Sequence, residues 1–231
     1  DAQGIRMRKR QNTQAASVAH VQDVRYLPGL EIRILDDSEE LHVCTLQGSA
    51  SNVRGLYWVK GRPAEIEQGQ LRYSLEDHLG SLVMELDQDA RLISHEGYYP
   101  FGGTAWWAAD SQVQASYKTV RYSGKERDAS GLYYYGFRYY APWMMRWINP
   151  DPAGPVDGLN LYGFVGNNPM TLTDYQGLIL ETPAQRDARK AQSAAYWQRW
   201  KNYNRLDREI KKFTDIMKLT SRRASEAQTQ L

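Results

Sequence analysis

A single cysteine in 231 residues excludes an intrachain disulfide and a cysteine-built zinc site. That residue is Cys44, and the four histidines (His20, His42, His78 and His95) lie too far apart for ligand spacing. No metal and no small-molecule cofactor is therefore expected. No apolar run approaches the ~20 residues of a membrane helix, and no signal peptide is legible. An initiator methionine is missing too. The chain opens on DAQGIRMRKR, which reads as the inside of a strand-turn-strand unit. The expectation is a fragment of a longer protein whose targeting signals lie elsewhere. Net charge is also scarce: a formal +2 names no partner.

What is present is a chain long enough to bury a core, with 42% apolar residues, which excludes a disordered segment. Its charge is unevenly spread. Residues 179–231 carry twelve Lys/Arg against six Asp/Glu, whereas the remainder carries seventeen against twenty-one. Such asymmetry predicts two parts with different roles.

From residue 1 to about 147 the text is strand-like. VRYLPGLEIRIL, ELHVCTL, GLYWVKG, LRYSLE, SLVMELD, RLISHEGYY, YKTVRYSGK and GLYYYGFRYY are short, rich in β-branched and aromatic residues, and often alternate. Turn signals separate them at Pro28-Gly29, Asp36-Asp37, Gly80-Ser81, Asp87-Gln88-Asp89, Gly102-Gly103 and Ser130-Gly131. This predicts a mainly all-β, antiparallel architecture. Fifteen of the 27 aromatics fall between Tyr98 and Trp147 and occupy both faces of GLYYYGFRYY. A two-sided core explains them; an aromatic platform for sugar is the alternative. The Asp77-His78 pair reads as a turn rather than a catalytic dyad, since no nucleophile stands beside it. Lys125-Glu126-Arg127 reads as a solvated charge cluster.

Residues 148–178, INPDPAGPVDGLNLYGFVGNNPMTLTDYQGL, hold four prolines and five glycines, so no helix or ordinary strand runs through them. After them the composition becomes helical. Thr182 suits an N-cap and Pro183 the first turn. Trp197, Trp200, Tyr203, Leu206, Ile210, Phe213 and Met217 then recur every three or four residues with basic flanks. The predicted helix runs from near 183 to about 220. The chain thus divides into a β region over 1–147, a junction over 148–178 and a basic helical tail over 179–231.

Several phrases in order carry a resemblance: YLPGLEIR, LEDHLGSLVMELD, GYYPFGGTAWW and RYSGKERDASGLYYYGFRYYAPWMMRWINPDPAGPVDGLNLYGFVGNNP. Together, over about residues 24–178, they resemble the RHS-repeat-associated core, in particular the C component of insecticidal Tc toxin complexes. The opening DAQG…R reads as a half repeat. The resemblance implies RHS/YD-type β repeats that form the C-terminal part of a hollow shell around an effector segment. It also implies partners: the rest of the shell, a B-component-like shell protein and a pore-forming A component. The setting would be a secreted complex that delivers the effector tail into a target cell.

In that family the core cuts the chain behind itself, and the cut is attributed to an aspartyl-protease-like site. Such hydrolysis needs two carboxylates sharing a water, one as base and one as acid. Asp151 and Asp174 match the aspartates of the family's junction motif. They are the expected pair, with turn capping as their alternative role. Arg146 is the expected supporting cation. Asp157 is a possible third carboxylate or a plain turn residue. The expected cut lies between Leu178 and Ile179, where Gly177 permits close approach and the two apolar side chains suit a water-poor pocket.

The tail of 53 residues departs from the family, whose effectors are usually much longer. It shows no nucleophile, metal cluster or nucleotide loop. An effector segment, a helix packed on the shell wall, and a cationic ligand for membranes or nucleic acid remain open. A different class also remains: a non-cleaving β-repeat binding or adhesion module whose junction loop is purely structural.

Overall fold

The computed structural model describes residues 4–15, 18–47, 52–182 and 184–192. Nine strands pair antiparallel in strict sequence order. They are β1 (Arg8–Ala15), β2 (Val18–Leu27), β3 (Leu30–Leu35), β4 (Glu39–Gln47), β5 (Asn52–Lys60), β6 (Gln70–Glu76), β7 (Leu82–Leu86), β8 (Leu92–Tyr98) and β9 (Thr104–Ala109). The turns are local in origin. Pro28 fixes one φ and Gly29 takes +71°, so Leu27 and Leu30 face each other across a two-residue turn. Asp36 and Asp37 both enter the left-handed region, at φ +50° and +52°, which short polar side chains tolerate. At the β6–β7 hairpin, one Asp77 carboxylate oxygen accepts the backbone N–H groups of Leu79 and Ser81.

One face of this sheet is covered by the segment that follows it, which includes the short helix α1 (Gln112–Ser116). The covered residues of β6 are Gln70, Arg72 and Ser74, whereas Leu71, Tyr73 and Leu75 on the same strand are about two-fifths exposed. The polar face is buried because the covering segment offers backbone carbonyls. Arg72 donates to the Gln114 carbonyl at 2.8 Å and Arg54 to that of Tyr117 at 3.2 Å. Lys118 reaches back to the Leu82 carbonyl at 2.8 Å and to Glu96 at 3.1 Å. Buried charges are tolerated when each finds such a partner. An apolar cluster of Leu41, Val43, Leu56, Trp58 and Ile66 lies farther along the sheet.

The chain then builds a four-stranded sheet from β10 (Glu126–Arg127), β11 (Tyr133–Tyr134), β12 (Tyr139–Ala141) and β13 (Arg146–Trp147). The expected two-sided core forms on one face of the aromatic run; the other face is half-buried beneath a cation. Tyr133, Tyr135, Tyr140 and Trp147 pack inward with Tyr122 and Phe164. Tyr134 and Tyr139 face the other way, where the Arg6 guanidinium sits 3.8 Å from the Tyr134 ring. Each fully buried ring contributes about 2–3 kcal/mol from surface removed from water, and edge-to-face pairs such as Tyr135–Trp147, with centroids 5.0 Å apart, add about 1 kcal/mol.

Two corrections concern charge and chain direction. The Lys125-Glu126-Arg127 cluster is not solvated: the Glu126 side chain is only 12% exposed and is an ion-pair hub. The tail drawn from 179 also opens on a strand, although its helix is expected only from near 183. β14 (Thr173–Asp174) pairs with β15 (Leu180–Glu181), so the strand text continues past the junction. Helix follows over 184–192. Thr182 caps it as its sequence suggests: the hydroxyl accepts from the Gln185 N–H at 3.3 Å and the Gln185 side chain accepts from the Thr182 N–H at 2.9 Å, a reciprocal capping box. Residues through Arg186 form one compact unit, and a second begins at Asp187. The predicted stripe from Trp197 to Met217 lies outside the described residues.

Candidate functional site: a buried carboxylate pair on one arginine

The loop between β11 and β12 is closed by a hydrogen bond from the Tyr135 N–H to the Arg138 carbonyl. Gly136 makes it possible. It takes φ +113°, and a Cβ there would sit 3.1 Å from the Gln176 and Gly4 carbonyl oxygens. This tight loop turns Arg138 inward, onto the Trp147 ring at 4.1 Å. The side chain is 2% exposed.

Two carboxylates converge on that guanidinium. Arg138 Nη2 lies 2.9 Å from Asp151 Oδ2 and 3.4 Å from Asp174 Oδ2. The two oxygens share a single nitrogen and are therefore no farther apart than those two distances combined. Asp151 and Asp174, 23 residues apart in sequence, are thus brought together. Each also caps a turn with its other oxygen. Asp151 Oδ1 accepts from the Ala153 N–H at 2.8 Å. Asp174 Oδ1 accepts from the N–H groups of Gln176, Gly177 and Leu178 at 3.1, 2.6 and 3.2 Å. The two roles left open by the sequence, turn cap and carboxylate pair, coexist on one side chain.

Arg138 contacts both carboxylates, and burial dominates the electrostatics of Asp174. Burial raises the Asp174 carboxyl to about 6; the N–H groups of Gly177 and Leu178 and the Arg138 charge oppose this only in part. Burial also lowers the Arg138 guanidinium from its ordinary value, against the pull of Asp151, Asp174 and Asp157. A carboxyl that titrates near neutrality beside a second carboxylate is the arrangement that separates an acid from a base.

Hydrogen bonds fix the backbone on both sides of the Leu178–Ile179 peptide. Upstream, the Tyr175 carbonyl accepts from Lys125, the Gln176 carbonyl from the Phe137 N–H at 3.0 Å and the Gly177 carbonyl from Arg138 Nε at 2.6 Å. Downstream, the Leu180 N–H donates to Asp157 Oδ2 at 3.2 Å. Gly177 takes φ +75°, and a Cβ there would meet the Arg138 nitrogen at 3.1 Å. Leu178 is half-buried but Ile179 is 57% exposed, so the expected apolar pocket on both sides of the bond is not formed.

Arg146 is not the supporting cation. Successive side chains of a strand point to opposite faces. Trp147 enters the core beneath Arg138, and Arg146 is turned outward over the Tyr162 ring at 4.8 Å. The residue missed is Arg138. The signal for it was an arginine inside GFRYY, a run aromatic enough to be buried, where a guanidinium requires carboxylate partners. The Asp77-His78 pair forms no dyad: the His78 Nε2 meets the Met170 carbonyl at 2.8 Å.

Repeated hairpins in sequence order are closed by an aromatic core that carries this arginine-centred pair, and comparison with known proteins supplies the family. No protein-family model matches the chain. Toxin subunit YenC2 of Yersinia entomophaga is 50% identical over 183 residues, 77% of this chain, and YenC1 of the same organism is 46% identical over 183 residues. The Tc holotoxin pore of Photorhabdus luminescens matches with a TM-score of 0.74 and 52% identity over 77% of this chain. A crystal structure of TcdB2-TccC3 matches with a TM-score of 0.73 and 53% identity over 76%. The chain belongs to the RHS-repeat family of Tc toxin C components. It spans 19% of the length of YenC2 and 8% of the chain in the holotoxin pore.

Proposed function

We propose that the chain is the self-cleaving C-terminal part of a Tc toxin C component, cutting its own backbone between Leu178 and Ile179. The observation that carries this reading is the sharing of Arg138 by two buried carboxylates, one of which also grips the backbone up to Leu178. Asp151, paired to Arg138 at 2.9 Å, is the base that takes a proton from water. Asp174 in its protonated form is the acid that polarises the Leu178 carbonyl. Water adds to that carbon, the C–N bond breaks, the proton goes to the Ile179 nitrogen, and the products are a carboxyl at Leu178 and an amine at Ile179. Holding the bond in place intramolecularly supplies up to about 7–11 kcal/mol of a barrier, so a modest catalyst suffices for one turnover.

The parent protein on this reading encloses the segment from Ile179 onward, assembles with a shell partner comparable to TcdB2 and a pore-forming A component, and acts in a secreted complex that delivers the segment into a target cell. An intact-mass spectrum under denaturing conditions tests the cut. Two species, ending at Leu178 and beginning at Ile179, are expected from the wild type and one full-length species from Asp151→Asn. A single mass from both this chain and its longer parent overturns self-cleavage and leaves a non-cleaving β-repeat module.

A further inference from the structure

Asp157 occupies the last position of a single 3-10 turn, Pro155–Asp157, between Gly154 and Gly158. Both glycines take positive φ, at 79° and 117°. The turn therefore follows a path that few other residues would allow, and its result is one contact. Asp157 Oδ2 accepts the N–H of Leu180 at 3.2 Å. Leu180 opens β15 and stands opposite Asp174 in the β14–β15 register. The same residue is thus held from two directions, by strand pairing and by a side chain from another loop. Its N–H belongs to the first peptide downstream of the Leu178–Ile179 bond. Asp174 holds the N–H groups upstream through Leu178. The bond therefore lies between two carboxylate grips, one on each side.

We infer that Asp157 is a positioning residue that acts by accepting the Leu180 N–H, and not a third acid or base. The inference rests on the self-cleavage reading above. Asp157 is exposed to solvent, unlike Asp151 and Asp174, which are 8% and 3% exposed. No hydrogen bond joins it to Arg138 among the described residues, although its charge is felt there. What the position requires is an acceptor oxygen at a set distance, and an amide oxygen supplies that as well as a carboxylate does. Near-attack geometry degrades quickly when one side of a reacting group swings free.

Asp157→Asn keeps the acceptor and Asp157→Ala removes it. In an intact-mass time course, Asp157→Ala is expected to cut about tenfold more slowly and Asp157→Asn within about threefold of wild type. Asn as slow as Ala would show that the charge, and not the acceptor, is needed, and would overturn the inference. So would Ala cutting at the wild-type rate. A second readout is independent of cutting: amide exchange at Leu180, measured by NMR in an Asp151→Asn background. Exchange should quicken when Asp157→Ala is added and stay slow with Asp157→Asn. If the wild type is not cut at all, self-cleavage falls by itself, and Leu180 exchange that is equal with and without Asp157→Ala would still overturn the grip.

Discussion

Two buried clusters of opposite composition sit on the same small sheet. At Glu126, one carboxylate receives Lys9 at 2.6 Å, Arg6 at 3.2 Å, Arg33 at 3.3 Å and the Tyr26 hydroxyl at 2.7 Å. At Arg138, one guanidinium receives two carboxylates. Burial would raise both Glu126 and Asp174. At Glu126 the effects of Arg33 and Lys9, with hydrogen bonds from Lys9 and Tyr26, win, and the group is held down at about 2. At Asp174 the Gly177 and Leu178 N–H groups with the charges of Arg138 and Lys125 lose to burial, and the group rises to about 6. Burial acts on both carboxylates, and the number of cations and donors set against it decides which one is held low and which one rises. The Glu126 hub fastens β1, β2 and β3 to β10. The Arg138 centre fastens the junction loop to the β11–β12 turn and keeps one proton close to neutrality.

The sharpest way to break this contrast is to remove the proposed base. Asp151→Asn is expected to slow cutting by about a thousandfold or more, while Glu126→Gln leaves the cutting rate unchanged; the intact-mass time course measures both. Next, Arg138→Met strands two buried carboxylates without a cation. A loss of about 3–5 kcal/mol is expected in urea unfolding, with restoration in part when Asp151→Asn is added. Glu126→Gln is smaller, about 2 kcal/mol, because Arg6 and Lys9 keep Asp128 as a partner and Arg33 keeps Glu31.

Two further effects carry opposite signs in pH. Asp174 is raised from an ordinary 3.8 to about 6. Its protonated form is favoured by the fold, so its contribution is full below about pH 4 and is lost as pH rises through 6, on the order of 3 kcal/mol. Glu126 is lowered from an ordinary 4.5 to about 2. Its contribution is full above about pH 4.5 and is lost as pH falls through 2. Thermal melts across pH 2–8 should show both slopes. Asp174→Asn should flatten only the slope between 4 and 6, and Glu126→Gln only the one at the acid end. The cutting rate itself should decline as pH rises through about 6, following the protonated Asp174.

Much of the fold was legible because it is made of local decisions. Pro28-Gly29, Asp36-Asp37 and the Asp77 loop turn the chain where their own side chains and φ preferences dictate. The Thr182 capping box is likewise written within four residues. Asp151 and Asp174 were legible through an ordered series of motifs, not through spacing. The buried face of β6 was not legible. The alternation in QLRYSLE shows that two faces differ, but not that Gln70, Arg72 and Ser74 go inward. That depends on backbone carbonyls brought over them by residues some forty positions later.

Sequence alone therefore determined where the chain turns, since each turn follows from residues that are neighbours in the chain, while the two aspartates were picked out by the motif resemblance. Only the tertiary structure decided that Arg138 and not Arg146 joins those aspartates, that Glu126 is a fastening and not a surface charge, and that Asp157 reaches the strand beyond the junction. The physical reason is that a buried charge takes its state from whatever the fold places within a few ångströms of it, and here those groups come from segments as much as 120 residues away.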